Sequence, residues 1–356
     1  MFNHHRKSCT LLTSTFLVVK FQVHRGVISV IWECVHRTTC LRYAVKVVDR
    51  RRLNRRGKAA IYREVKMLAI IDPKAPGTIH LHQFFDEPTH FYIVTEYASG
   101  GNLQARIDRK QNICEDETKR IMRCVLECLV YQHKRGIVHR NIKPDNIVLE
   151  GTTAMIVDYR HAAKLMYSDT GEMVMLTAQC GTSSYVAPEM LNKQPYSSQV
   201  DIWGVGILAY MCLAGYYPFS VDSKQAVYER ISKGSYTFET KDWASISGPA
   251  KHFISSLLHV DPDVRMTAEE ALQHPWLAFP IHVKPVVEEF VNTPVTTKRQ
   301  SSTMSSGSNA WTHFPASRRR TMETKHPVKS NVRQRVRKLL NRLLCHRHIF
   351  RVASNF

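Results

Sequence analysis

The side chains of this sequence that could do chemistry are densest in a polar run, HRNIKPDN, at residues 139–146 between two short apolar stretches. The run supplies an imidazole (His139), a guanidinium (Arg140), an ammonium (Lys143), a carboxylate (Asp145) and two primary amides, Asn141 and Asn146. A second carboxylate, Asp158, ends the run MIVD just downstream, and Arg160 follows close behind it. Hard oxygens such as those of Asp158 and Asn146 suit a divalent cation, and ammonium groups neutralise bound anions. Asn141 offers something weaker, because an amide can hold a hydroxyl by a hydrogen bond but cannot usefully take its proton near neutral pH. Singly, each residue has an ordinary alternative. Lys46 and Glu64 would be solvated surface charges, Asp158 a turn former after a buried strand, and Ile31, Ala44 and Val148 plain core packing.

Such groups need a framework to position them, and the hydrophobic pattern supplies one. With 44% hydrophobic and 9% aromatic residues, a chain of 356 residues buries a sizeable core, which excludes disorder of the whole. The runs FLVVKFQVH, VISVIWECV and RYAVKVV between residues 16 and 48 are β-branched and aromatic, with turn material at Arg25-Gly26 and at 37–40, and predict strands. A basic connector, DRRRLNRRGK (49–58), leads to a helical pattern in which Ile61, Val65, Leu68 and Ala69 share a face. Two further strands are predicted near 79–85 and 90–97. Past Ser99-Gly100-Gly101 the pattern turns helical, with Ile121, Val125, Leu129 and Tyr131 along 115–134 and helices dominant from 197 to 278. Residues 202–219 carry no charge and touch the lower limit of a membrane span. Gly204, Gly206, Gly215 and Pro218, with Asp201 at the head, favour a helix buried in a core instead.

Six motifs in this order carry a resemblance. Tyr43-Ala44-Val45-Lys46, HRNIKPDN, Asp158-Tyr159-Arg160, Ala187-Pro188-Glu189, Asp201-x-Trp203-Gly204 and Asp261-Pro262-x-x-Arg265 resemble, in order and separation, a eukaryotic protein kinase across residues 16–280. The ending RMTAEEALQHPWL (265–277) and the hinge look most like the calcium/calmodulin-dependent Ser/Thr kinase group. The resemblance implies an α+β, two-lobed fold, with a β-rich N-lobe at 16–97 and a helical C-lobe at 98–280 after an N-terminal extension of residues 1–15. It also implies ATP and Mg²⁺ as cofactors and a protein substrate. Carried over by position, Lys46 would pair the α- and β-phosphates and Glu64 would hold its ammonium. Asn141 stands where the family has its catalytic Asp, Lys143 would contact the transferred phosphate, and Asn146 and Asp158 would hold the metal. Gly26 would let the backbone approach phosphate; Ile31, Ala44 and Val148 would sandwich adenine, with Thr95 behind and Glu96 to Ala98 as hinge. Glu189 with Arg265, and Asp201 beneath the catalytic loop, would be structural. Arg140 would receive a phosphate from the activation segment, where Ser168, Thr170 and Thr177 are the candidates.

Three departures from the family pattern weaken the expected chemistry. Replacing the general base by Asn141 removes a contribution of roughly 10²- to 10⁴-fold, about 3 to 5 kcal/mol of barrier. Arg160 replaces a glycine, so the loop that aims Asp158 is expected to sit differently, and its cation would compete with Mg²⁺ for Asp158 and weaken metal dependence. His24-Arg25-Gly26-Val27-Ile28-Ser29 keeps only the middle of three glycines. Asn102 also stands where relatives often carry an acid that meets ribose and a basic substrate residue, which weakens any preference for Arg-containing targets.

Lys+Arg number 50 against 30 Asp+Glu, and the excess is concentrated in residues 281–356, which hold fifteen Lys/Arg and three Asp/Glu. From Lys284 the sequence is Ser/Thr/Pro-rich, as a disordered linker over 281–329 would be. Order is expected to return at 330–356, where Val336, Leu340, Leu343 and Ile349 recur at helical spacing among Arg335, Arg337, Lys338, Arg342 and Arg347. A basic amphipathic helix of this kind suits calmodulin, with an anionic membrane surface as the alternative and a nuclear localisation patch at Arg318-Arg319-Arg320 as a further one. No nucleic-acid partner is expected. Nine cysteines without a C-x-x-C pair point to a reduced, intracellular setting, cytoplasmic or nuclear, and the N-terminal apolar stretch is too interrupted by threonines to read as a signal peptide. Three functions follow from these residues: an ATP-binding, catalytically impaired kinase (a pseudokinase) acting as regulator or scaffold with a protein partner; an active but slow Ser/Thr kinase; or a nucleotide-free interaction module.

Overall fold

The computed structural model describes residues 12–25 and 28–278. Gly26, the 281–329 linker and the 330–356 helix lie outside the described residues. A short helix, α1 (Leu12–Thr15), runs into β1 (Phe16–Arg25), and β2 (Ser29–His36), β3 (Arg42–Asp49), β4 (Leu81–Asp86) and β5 (His90–Glu96) complete an antiparallel sheet in the order β1-β2-β3-β5-β4. Leu12, placed by the sequence pattern in an extension, is buried with Phe16 in the outer core of this sheet.

Strand alternation decides what faces the cleft. On β3, Val45 and Val47 pack outward with Cys34, Phe85, Tyr92 and Val94. Ala44, Lys46 and Val48 therefore point the other way, toward helix α2 (Arg55–Ile70), and Val48 joins Ile61, Val65 and Leu68 in the main core. On β5 the same rule sends Phe91 and Ile93 inward, and Thr95 with them. α2 begins inside the basic connector, where the Asn54 side chain accepts from the Gly57 amide at 2.8 Å. Its buried stripe is Ile61, Glu64, Val65, Met67 and Leu68; Ala69 is exposed and Met67 takes the place expected for it.

The second lobe is helical, as the pattern predicts. α3 (Leu103–Lys110) and α4 (Glu115–His133) precede a run of short strands: β6 (Ile137–Val138), β7 (Ile147–Glu150), β8 (Thr153–Ile156), β9 (Ala163–Lys164), β10 (Met166–Tyr167) and β11 (Met173–Val174). There follow α5 (Pro188–Leu191), α6 (Gln199–Ala214), α7 (Lys224–Lys233), α8 (Thr240–Trp243), α9 (Gly248–Leu257), α10 (Ala268–Gln273) and α11 (Pro275–Ala278). Most of the charge-free stretch lies in α6, which is buried from Val200 to Leu213, packs against α4 and α9, and ends at Gly215. Among the described residues no helix is long and apolar enough to cross a membrane.

Candidate active site between the lobes

Lys46 on β3 and Glu64 on α2 meet at 2.7 and 2.8 Å, and Lys46 also reaches Asp158 at 3.2 Å. Burial raises the Glu64 carboxyl above its ordinary value, against the opposing pull of Lys46. Burial would raise Asp158 too, but the Lys46 ammonium and the Arg160 guanidinium outweigh it and hold this carboxyl well below the usual range. Arg160 binds Asp158 in a fork, Nε to Oδ1 at 2.6 Å and Nη2 to Oδ2 at 2.7 Å. Both carboxylate oxygens are therefore engaged by protein cations. The expected backbone misfit at Arg160 does not arise: it lies in a 3-10 turn, Tyr159–His161, outside the left-handed region, and it is Asp158 that takes φ 70°. Arg63 of α2 donates to the Arg160 carbonyl at 3.2 Å and so ties helix to turn.

The polar run forms a loop braced from below. Asp201, at the head of α6, accepts from the His139 amide (2.9 Å) and the Arg140 amide (2.7 Å), and its Oδ2 lies 3.0 Å from His133 Nε2. Burial works against the Asp201 charge, yet the His133 bond and the amides prevail and hold its carboxyl below the usual range. Gly204 is what lets α6 come this close, since a β-carbon there would meet the Ile142 β-carbon at 2.8 Å. Asn141 is buried, and its Oδ1 accepts from both the amide (3.1 Å) and the hydroxyl (3.2 Å) of Thr182. Gly181 makes that approach possible: its φ is 92°, and a β-carbon would sit 2.7 Å from the Arg140 carbonyl. Asn146 donates to the Asn141 carbonyl at 2.9 Å and its own carbonyl accepts from the Val157 amide at 2.9 Å, which sets it beside Asp158. Lys143 pairs with Asp145 at 3.4 Å.

Ile31 on β2, Ala44 on β3, Ala98 after β5 and Val148 on β7 are apolar yet only half-buried. Glu96 starts the connection, and its Oε1 accepts from the His80 amide at 3.0 Å. Asn102 spends its side chain as the cap of α3, accepting from the Ala105 amide at 2.8 Å. Arg140 is also occupied: Nε donates to the His161 carbonyl (2.6 Å) and Nη1 to the Tyr196 hydroxyl (2.9 Å). Below the cleft, Arg265 makes a fork with Glu189 at 2.8 and 3.0 Å, both side chains essentially inaccessible to water. An open groove of about 660 Å³ runs between the segment at 179–193 and α7, with Gly181, Val186, Met190 and Tyr228 in its wall.

A sequence description of the protein kinase domain matches residues 18–277. This chain belongs to the protein kinase family. Among its relatives, a probable myosin light chain kinase of Dictyostelium discoideum is 36% identical over 261 residues, which cover 72% of this chain and 81% of that protein. Human serine/threonine-protein kinase H1 is 35% identical over 263 residues (73% of this chain, 60% of that protein). Calcium/calmodulin-dependent protein kinase type 1 of Caenorhabditis briggsae is 36% identical over 241 residues (66% and 65%). The chain thus resembles the calcium/calmodulin-dependent group of Ser/Thr kinases, and it spans under two thirds of the length of the last two relatives.

Membership of the kinase family brings ATP, Mg²⁺ and protein hydroxyls as the family's general reactants, and the cleft fits the nucleotide better than the metal. Half-buried apolar side chains at Ile31, Ala44, Ala98 and Val148 and the ammonium of Lys46, held by Glu64, are the chemistry that a purine and its phosphates require. The oxygens of Asp158, by contrast, are already held by Arg160 and Lys46. The sequence singled out Lys46, Glu64, Asn141, Asn146, Asp158 and Arg160, and the fold brings them to one site. It gave no hint of Thr182, Arg63 or Tyr196, whose bonds join residues 41, 97 and 56 positions apart.

Proposed function

We propose that this chain is an ATP-binding protein of the Ser/Thr kinase family whose phosphoryl transfer is impaired, and that it acts in intracellular signalling as a regulator or scaffold for a protein partner. The observation that carries the reading is the fork of Arg160 on Asp158, beside a catalytic loop whose base position is the amide Asn141. In this reading Lys46, held by Glu64, takes the α- and β-phosphates, and Lys143 lies toward the γ-phosphate. Ile31, Ala44 and Val148 enclose adenine, Glu96 and Ala98 form the hinge, and Gly26 covers the phosphates. Asn146 and Asp158 are the inherited metal positions, with Arg160 standing where a divalent cation would neutralise charge, so binding depends on Mg²⁺ less than in an intact kinase. Thermal unfolding with ATP tests this, because a ligand selective for the folded state raises the melting temperature. We expect a rise with or without Mg²⁺ that Lys46→Ala abolishes; no rise at millimolar ATP under either condition would leave the nucleotide-free module standing.

A second reading, a slow but active Ser/Thr kinase, draws on the assembled Lys46–Glu64 pair at 2.7 Å and on the braced loop. Phosphoryl transfer through a loose transition state leans on positioning and charge more than on a base. Residues 330–356 are proposed to bind calcium-loaded calmodulin, with an anionic membrane as the alternative. A peptide of that segment should gain helicity with calmodulin and lose binding when Leu340 and Ile349 become Asp; binding that ignores both changes and falls steeply with salt would favour the membrane.

A further inference from the structure

Tyr159 carries a hydroxyl into the interior of the protein. Its side chain is wholly buried, as are those of Gln132, Cys128 and Thr78 around it. Gln132 and Cys128 stand one turn apart on α4 and so share a face. Thr78 comes to that face on the loop ahead of β4, which runs beside the end of β8: the Ile156 amide donates to the Gly77 carbonyl at 2.8 Å and the Ile79 amide to the Ile156 carbonyl at 3.3 Å. Gly77 allows the approach, since its φ is 62° and a β-carbon there would meet the Cys124 carbonyl at 2.6 Å and the Cys128 β-carbon at 2.9 Å. Four polar side chains thereby meet in one cluster. Gln132 Nε2 donates to the Tyr159 hydroxyl oxygen at 2.7 Å and to Cys128 Sγ at 2.9 Å, and Thr78 Oγ1 lies 3.1 Å from Cys128 Sγ. The Tyr159 ring also meets His139 of the polar loop edge to face, with centroids 4.9 Å apart. The cluster is neutral, because burial pushes the Cys128 thiol up to about 12 and the Tyr159 phenol well above its ordinary value. Gln132 Oε1, by contrast, is buried with no hydrogen-bond partner among the described residues. An apolar side chain of that size would avoid this cost, so Gln132 contributes through its nitrogen and not through packing.

We infer that Tyr159 is a positioning residue: its hydroxyl, held by Gln132, fixes the 159–161 turn so that Asp158 stays against Lys46 and Arg160 stays against Asp158. Tyr159 stands in the chain between the two residues of the fork. Where the family's triplet carries a phenylalanine, packing alone sets the state of the turn. Here a directional bond is added to the packing. Asp158 takes φ 70°, a conformation that a residue with a β-carbon keeps only where its surroundings over-determine it. The Gln132 bond supplies that constraint from α4, and Arg63, donating to the Arg160 carbonyl at 3.2 Å, supplies it from α2. A swing of the turn would break the Gln132 bond and leave a further buried polar group without its partner, which makes the swung state rare. The consequence is an Asp158 whose place beside Lys46 is set before any ligand arrives. None of this depends on nucleotide, and its test uses none.

A double-mutant cycle on the full-length protein, without nucleotide or metal, tests this. Amide hydrogen exchange of residues 158–162 reports the turn. Acetylation of Lys46 by N-hydroxysuccinimidyl acetate, read by mass spectrometry, reports whether Asp158 still holds its ammonium. Tyr159→Phe and Gln132→Leu should each lower the melting temperature and speed exchange of the turn about tenfold, as loss of a buried bond implies, with Lys46 acetylated several-fold faster. Tyr159→Phe/Gln132→Leu leaves neither partner unsatisfied, and Thr78 and Cys128 keep each other. Its melting temperature should return close to the wild type while the fast exchange and fast acetylation persist, and α6 should exchange alike in all four proteins. That separation marks a positioning role, because a purely structural bond would let all the readouts recover together. Exchange and acetylation in the double variant that match the wild type would overturn the inference. So would single variants whose losses in melting temperature simply add in the double, since Tyr159 and Gln132 would then not act as a pair. Should either single variant fail to fold, exchange and acetylation in the double variant against the wild type decide alone.

Discussion

Asn141 and Arg160 act on one site by different means. On the proposed reading Asn141 supplies no proton acceptor at the base position, and its amide oxygen already serves two donors from Thr182, so a substrate hydroxyl would have to compete for it. Arg160 fills the coordination of Asp158 with a fork that an aqueous cation must displace. Arg160→Gly should free both oxygens, and the ATP-induced rise in melting temperature should then become strongly Mg²⁺-dependent, as thermal shift with and without chelator will show. In the wild type the two conditions should differ little. Combining Arg160→Gly with Asn141→Asp should raise transfer by more than either change alone and non-additively, because the two positions belong to one site. Single-turnover transfer rates for the four proteins measure that coupling.

At the scale of elements, the site depends on β3, α2, the 139–146 loop and α6 being held in register. The buried Glu189–Arg265 pair anchors the segment that carries Thr182 and Asn141's contacts, with Arg265 also bonded to the Gln199, His259 and Val260 carbonyls. Removing one partner leaves the other charge buried, so Glu189→Ala should lower stability by roughly 3 to 5 kcal/mol, read from denaturant midpoints. Glu64→Ala, by contrast, should leave folding nearly intact but weaken ATP binding, since Lys46 would then turn wholly to Asp158. Much of this architecture is legible in the sequence. Period-two runs place Lys46 opposite the outward Val45 and Val47, and a helical stripe puts Glu64 on the inner face of α2. Local periodicity does not determine which of two near-equivalent residues turns inward, which is why Met67 and not Ala69 is buried. Contacts such as Thr182 to Asn141 and Tyr196 to Arg140 arise only from tertiary folding, and no spacing rule encodes them. Arg160 lies between these cases: its charge beside Asp158 is readable, while the fork is a matter of rotamer and turn geometry.

Across the whole molecule, burial holds His82, His90, His139, His161 and His274 below the ordinary imidazole value. The folded state therefore binds fewer protons than the unfolded chain between these depressed values and about 6.5. Stability from this source is fully present above about pH 6.5 and is lost as pH falls from there toward the folded values. The melting temperature should drop between pH 7.5 and 5.5, and again in strong acid, where Asp158 and Asp201, both held low, must take up protons. A melting temperature that stays flat down to pH 5.5 would contradict the histidine assignment. In the proposed reading, the two lobes, the formed Lys46–Glu64 pair and the braced loop make a nucleotide site whose base position is held by an amide. The most direct test of that account is transfer of radiolabelled phosphate from ATP to a generic protein substrate by the wild type, Asn141→Asp and Lys46→Ala. The account predicts wild-type turnover below that of an intact relative by roughly 10²-fold or more, a partial recovery in Asn141→Asp, and none in Lys46→Ala. Robust wild-type transfer that Lys46→Ala abolishes and Asn141→Asp leaves unchanged would contradict it.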